Sequence, residues 1–271
     1  STPPKTLFPY TTLFRSMSGA KPLYISVGFI IEEGLTINEL EKIVQSMAKT
    51  ANEAGVKIVT GDTKVVEKGS CNKIYINTTG IGIIEENNRY LSGDKVRAGD
   101  KVIVSGTLGD HGMCIMNKRE DFGFKSTIKS DCCLLNELIS DILSVSTNIR
   151  VLRDPTRGGL ATTLNEIIEH SNVSIEIKEE NIPVKQEVAA MCDILGLDPL
   201  FIANEGKLVV IVDKNDADNV LSIMKKNPVG ENSVLLGEVI NDGKNKLYLK
   251  TNIGGKRIIN MPEGEILVRI C

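Results

Sequence analysis

Nothing in this sequence of 271 residues argues for a charged polymer or a lipid bilayer as its target. Neither sign of charge is in excess, with 32 Lys and Arg against 35 Asp and Glu, so a basic field for nucleic acid or anionic membrane is excluded. A small polar or anionic ligand is expected instead. No apolar run approaches the length that spans a bilayer, and no signal peptide with a basic start and a small-residue cleavage site is visible. The expected location is cytoplasmic. Six cysteines, Cys71, Cys114, Cys132, Cys133, Cys192 and Cys271, lack the C-x-x-C or Cys/His spacing of a zinc site and read mostly as reduced core or surface thiols. The G-x-x-x-x-G-K-[ST] phosphate loop and the G-x-G-x-x-G dinucleotide fingerprint are both missing, as are internal repeats and low-complexity segments.

What is present begins with an anomaly. Thr6 to Ser16 reads as the in-frame translation of a short-read sequencing adapter, and it holds Phe8, Tyr10 and Phe14 out of a total of five Tyr and six Phe. Residues 1–16 are therefore set aside as non-native, and native sequence is expected to begin near Met17.

From Lys21 to Ile31 an apolar, β-branched run predicts a buried strand. Thr36-x-x-Glu39 predicts a capping box, after which Ile37, Leu40, Ile43, Val44, Met47, Ala48 and Ala51 recur at helical spacing up to a stop at Gly55. Val56 to Thr60 predicts a short strand that ends in Gly61-Asp62-Thr63-Lys64. Ile74, Ile76, Ile81 and Ile83 predict more β structure, before a polar stretch around residues 87–99 where a first domain is expected to end. Further strands are predicted at Lys101–Ser105, Ser174–Lys178, Leu208–Val212, Val234–Val239 and Lys246–Lys250. Helices are expected after Gly106–Gly112, over Leu134–Leu143, from Gly159 through Ile168, over Val184–Leu195 and over Ala217–Met224. Asn241-Asp-Gly-Lys244 has the form of a hairpin turn. The alternation places the chain in the α/β or α+β class.

Several stretches could carry chemistry. Gly61, Asp62, Thr63 and Lys64 are expected at a strand end, where side chains converge on a crevice. A carboxylate there suits magnesium, and Lys is a compact charge for a phosphate or for proton transfer; the same residues also make an ordinary Gly-Asp turn. In Asp154-Pro-Thr156-Arg157-Gly158-Gly159 the glycines let backbone amides approach a ligand, and the following helix offers its positive end to an anion. The alternative is a helix entry capped by Asp154 or Thr156, and both can hold. Gly106 to Gly112 repeats this grammar, with His111 as a polar residue at a helix start. Glu205, in Ala203-Asn-Glu-Gly206, is either a general base in a crevice or a solvated turn residue. His170 reads as a helix-end residue.

The last run, Met261 to Cys271, is broken by Pro262 and Gly264 and stops on a cysteine, as suits a flexible carrier arm. Extended, it puts Arg269 and Cys271 on one side, and a nearby cation favours the thiolate while the terminal carboxylate opposes it.

Met17 to Cys271 closely resembles the HypE family of hydrogenase maturation factors, in the ATP-binding superfamily of aminoimidazole ribonucleotide (AIR) synthetase and selenophosphate synthetase. The resemblance is carried by Ser18-Gly-Ala-Lys-Pro22, Phe29-Ile-Ile-Glu-Glu-Gly34, Ala54-Gly-Val56, Gly61-Asp-Thr-Lys-Val-Val66, Ile76-Asn-Thr-Thr-Gly-Ile-Gly82 and Gly109-Asp-His-Gly112. It continues through Asp154-Pro-Thr-Arg-Gly-Gly-Leu160, Leu195-Gly-Leu-Asp-Pro-Leu200, Ala203-Asn-Glu-Gly-Lys-Leu208 and the final Arg269-Ile-Cys271. It implies an AIR synthase-like (PurM-like) two-domain fold: residues 17–100 an incomplete ATP-binding and dimerisation domain, 101–260 an α/β domain, 261–271 a tail.

The resemblance further implies that Cys271 receives a carbamoyl group from HypF, that ATP with Mg2+ activates its oxygen, and that loss of phosphate leaves a thiocyanate. Lys64 and Glu205 would remove the nitrogen protons and Asp62 would hold magnesium. The nucleotide would lie against Gly61, Asp62 and Thr63 and against Asp154, Thr156, Arg157, Gly158 and Gly159. The cyanide would pass to a HypC and HypD complex for the iron of nickel-iron hydrogenase, and the family implies a homodimer.

Two departures bear on this. Val268 stands where the family usually has Pro before Arg-Ile-Cys, and the family's opening segment, with a His-Gly-rich start and several Asp, is missing ahead of Met17. The expectation for the chain as given is weak ATP binding, poor dimerisation, and a second domain from about Lys101 that folds on its own core. Competing readings are a non-catalytic fragment that only binds maturation partners, and another enzyme of the superfamily, a kinase or purine-pathway synthetase, to which a terminal Cys is of no use.

Overall fold

The computed structural model describes residues 17–84, 91–119 and 126–262. The chain forms two compact units, residues 1–88 and 89–271, each treated by itself.

In the first unit β1 (Lys21–Glu32) is the middle strand of three, parallel to β2 (Lys57–Val66) and antiparallel to β3 (Ile74–Ile83). Parallel neighbours need a crossover, and α1 (Ile37–Glu53) supplies it. The capping box forms as expected: Thr36 Oγ1 accepts the Glu39 amide at 3.2 Å, and Glu39 Oε2 accepts the Thr36 amide at 3.2 Å. Met47 and Ala51 lie on the buried side of α1.

One expectation fails here. Residues 61–64 do not end a strand; they lie inside β2, whose register with β1 runs unbroken from Ser26 and Thr60 to Glu32 and Val66. A Cβ on Gly61 would sit 2.3 Å from the Val27 carbonyl oxygen, so this glycine serves close strand approach and not a turn.

The second unit holds a seven-stranded sheet in the order β10-β9-β6-β8-β4-β7-β5. Its strands are β4 (Lys101–Val104), β5 (Ile149–Arg153), β6 (Ser174–Lys178), β7 (Val209–Val212), β8 (Val234–Ile240), β9 (Leu247–Lys250) and β10 (Lys256–Ile259). Every neighbouring pair is antiparallel except β6 with β9. β7 is buried at all of its positions, as a strand covered on both faces must be. One face packs Val102, Val104, Val209, Ile211, Ile175 and Ile177 with Leu160 and Leu164 of α4 (Gly159–Glu169). Each such side chain contributes about 1.5–3 kcal/mol when fully buried. The other helices are α2 (Asp110–Arg119), α3 (Asn136–Val145), α5 (Gln186–Leu195) and α6 (Ala217–Lys226). Met113 of α2 meets Val188, Met191 and Cys192 of α5 over Ile202.

The hairpin expected at Asn241-Asp-Gly-Lys is not one. β6 lies between β8 and β9, so the link crosses the end of a third strand, and β10 extends the sheet beyond anything the spacing predicted. Asp242 ties this link down: it accepts from Ser174 Oγ, from Tyr248 OH at 2.7 Å and from the Lys244 amide at 3.0 Å. The Ser174 and Tyr248 hydroxyls pull its carboxyl down to about 2. A lowered folded value stabilises above the unfolded one, so this contribution is complete above the ordinary value of 3.8 and disappears as pH falls towards 2. Urea unfolding at pH 7 and near the acid limit should show the loss, and Asp242→Asn should remove that part of the pH dependence. An unchanged acid limb in the variant would contradict the assignment.

Candidate active site

In the second unit two glycine loops and one polar turn are knitted together by the segment 203–207. Asn204, fully buried, does most of this. Its Oδ1 accepts the Gly109 amide at 2.8 Å, its Nδ2 donates to Pro155 O at 3.0 Å and Ile202 O at 2.9 Å, and its own amide donates to Pro155 O at 3.1 Å. The loop after β4 and the loop after β5 are thus fixed to the same side chain. Gly112 is needed for that approach, because a Cβ there would meet Ile202 Cγ2 at 2.4 Å.

The glycines of the Asp154 loop have a packing role that the sequence did not announce. Gly158 and Gly159 adopt φ of 70° and 62°, conformations that favour glycine, and a Cβ on Gly159 would lie 2.5 Å from Leu200 O. They let the chain turn into α4 against the Leu200–Ile202 backbone. The N-cap is Gly158, with no side-chain cap, so the alternative of an Asp154 or Thr156 cap is overturned. Beside this uncapped helix start the Thr162 hydroxyl oxygen is buried without a hydrogen-bond partner among the described residues. Burial raises the Asp154 carboxyl above its ordinary value, opposed by hydrogen bonds that include Thr156.

Glu205 is 2% exposed, which overturns the reading as a solvated turn residue. Its amide donates to Asp131 Oδ1 at 3.0 Å, and Lys207 Nζ stands 3.3 Å from Asp131 Oδ2. His111 does sit at the start of α2, but it too is buried, with Nδ1 2.9 Å from Ser130 Oγ and 3.6 Å from Cys132 Sγ. Burial lowers its basicity, while the Asp131 charge opposes that. Burial pushes the Cys132 thiol up to about 12 and Cys133 up to about 11. Asp131, Asn204 and Lys207 were missed as site residues by sequence reasoning. No periodicity marks Lys129-Ser-Asp-Cys-Cys133, and the available signal was the charge on either side of Gly206 in Glu205-Gly-Lys207.

The first unit offers a concavity of about 440 Å³, lined by Gly28, Phe29, Ile30, Asp62, Lys64, Tyr75, Ile76 and Asn77. Alternation along β2 brings Asp62 and Lys64 to this one face, with Asp62 Oδ1 accepting the Thr63 amide at 2.8 Å. Lys64 and Glu205 belong to different units. His170 ends α4, as expected. Cys271 lies outside the described residues.

The profile of the AIR synthase related protein N-terminal domain matches residues 16–84, and that of the C-terminal domain matches residues 97–250. The two units thus carry the two halves of an AIR synthase related protein. The carbamoyl dehydratase HypE of Cupriavidus necator is 49% identical over 94% of this chain and 73% of its own length. A crystal structure of HypE in complex with ATP superposes with a TM-score of 0.91 at 44% identity, over 97% of this chain and 79% of that one. That of a HypE-HypF complex does so with 0.91 at 47%, over 95% and 84%. The chain belongs to the HypE family. No described helix is long and apolar enough to cross a membrane.

Proposed function

We propose that this chain dehydrates the carbamoylated thiol of its own Cys271 to a thiocyanate at the expense of ATP, receiving the carbamoyl group from a HypF-like transferase. The cyanide then goes to a HypC and HypD complex for the iron of nickel-iron hydrogenase. The observation that carries this reading is the buried Glu205, set by Asn204 at the meeting of the glycine loops in a chain of the HypE family. Burying a carboxylate is costly, and packing alone has no use for one at this place.

The conversion removes one water from a primary amide bound to sulfur: both nitrogen protons and the oxygen must leave. ATP supplies the phosphoryl group that turns that oxygen into a leaving group, with magnesium shielding the phosphate charges. Glu205 and Lys64 take up the nitrogen protons, which requires each within hydrogen-bond reach of that nitrogen or one water away. The uncapped start of α4, with the orphaned Thr162 hydroxyl, fits a phosphate, and the loop residues Asp154, Thr156, Arg157, Gly158 and Gly159 surround it. Asp62, which faces Asn77 across Gly28 of β1 in the concavity, would hold a magnesium ion whose other ligands are water and phosphate oxygens, with Gly61 and Thr63 flanking it on β2. Exposed Tyr24, Ile30, Tyr75 and Ile81, which the register of β1 with β3 puts on one face of the first unit's sheet, support a homodimer in which a second copy covers them.

The test is phosphate release from ATP by the chain before and after carbamoylation of its tail. Release should depend on the carbamoyl group and match it mole for mole. Equal release from the unmodified chain would end the proposal.

A further inference from the structure

Glu205 is held through its backbone. Its amide donates to Asp131 Oδ1 at 3.0 Å, while the other oxygen of Asp131 faces Lys207 Nζ at 3.3 Å, so one carboxylate braces both residues that flank Gly206. The approach depends on that glycine. A Cβ on Gly206 would lie 1.9 Å from Asp131 O and 2.7 Å from Cys133 Sγ, distances that backbone cannot yield. Cys133 Sγ also donates to Gly206 O at 3.4 Å. Asp131 in turn is aimed by a turn of its own: Ser130 Oγ accepts the Cys132 amide at 3.3 Å and meets the buried His111 Nδ1 at 2.9 Å.

The same residues raise another possibility, since donor atoms of His111, Asp131 and Cys132 all lie within 4.8 Å of one another and could close on a metal ion. Two features oppose it. Lys207 places a cation against the carboxylate a metal would need, and the Cys132 thiol, pushed up to about 12 by burial, would first have to lose its proton. The carboxylate is already committed to the Glu205 amide and to Lys207, which is the arrangement of a strut.

We infer that Asp131 is a positioning residue that holds Glu205 at the angle its proton transfer requires, with the His111 and Ser130 turn and Lys207 fixing Asp131 in its place. The inference rests on the role proposed for Glu205. Misplacing a reacting group by about 1 Å costs on the order of 100-fold in rate.

The experiment compares Asp131→Ala and Asp131→Asn in the full chain, reading single-turnover dehydration of carbamoylated protein, KM for ATP, amide hydrogen exchange at Glu205 and zinc content. Asp131→Ala should lower kcat by about 100-fold, leave KM for ATP unchanged and speed exchange of the Glu205 amide. Asp131→Asn keeps an oxygen acceptor for that amide and should recover at least about a tenth of the wild-type rate together with its slow exchange. If the Ala variant fails to fold, slow exchange and retained rate in the Asn variant still support the strut, and fast exchange there overturns it. Wild-type rates in Asp131→Ala would overturn it, as would stoichiometric zinc in the wild type that this variant loses. A wild-type chain with no ATP-dependent dehydration would instead fail the function proposed above, while the exchange measurement would still report on the strut.

Discussion

Cys271→Ser should end thiocyanate formation completely while leaving urea unfolding of the chain unchanged. The reason lies partly in the other thiols. Burial pushes Cys132 up to about 12 and Cys133 and Cys192 up to about 11, so these stay protonated and unreactive near neutral pH. Cys114 is buried in α2. Chain ends in general contribute little packing, so substitution of Cys271 should cost the fold nothing measurable. Intact mass after exposure to the carbamoyl donor and ATP reads the result. An adduct formed on the Cys271→Ser chain would place the acceptor elsewhere.

Glu205→Gln should be nearly as damaging to turnover and harmless to the fold. Glutamine keeps the shape of the side chain in its buried niche but cannot accept a proton, and loss of a positioned base costs about 10²–10⁴-fold. Carbamoylation of Cys271 should proceed as before, because that step precedes the dehydration. Stability should hold or rise slightly, since the substitution takes a buried charge out of the unit. Lys64→Met, on the exposed face of β2, should also slow dehydration without unfolding the first unit. Dehydration by Glu205→Gln within a few-fold of wild type would remove Glu205 from the chemistry.

How much of this was written in the sequence varies with how local the determinant is. The Thr36 and Glu39 capping box is satisfied within one helical turn, so it was legible and formed as expected. Val209–Val212 is a continuous β-branched run, and burial on both faces followed. Where partners come from elsewhere in the chain, legibility fell. Gly61-Asp62-Thr63-Lys64 has the composition of a turn, but pairing with β1, more than thirty residues earlier in the chain, draws it into a strand. Asn241-Asp-Gly-Lys has the composition of a hairpin, yet β6 takes the place between β8 and β9, and no local signal announces that. At the site, Glu205 and the Asp154 loop stood out because glycines accompany them, while the packing of Gly159 against Leu200–Ile202 was not legible. Asp131 did not stand out, since its partners Glu205 and Lys207 are brought to it only by folding.

The most direct test follows the mass of one chain through the reaction. Wild-type protein is carbamoylated by a HypF-like donor, freed of nucleotide, and then given magnesium ATP. The account predicts that the Cys271 adduct loses the mass of one water, with one phosphate released for each adduct converted. A carbamoyl adduct that persists unchanged on Cys271 while ATP is hydrolysed would contradict it.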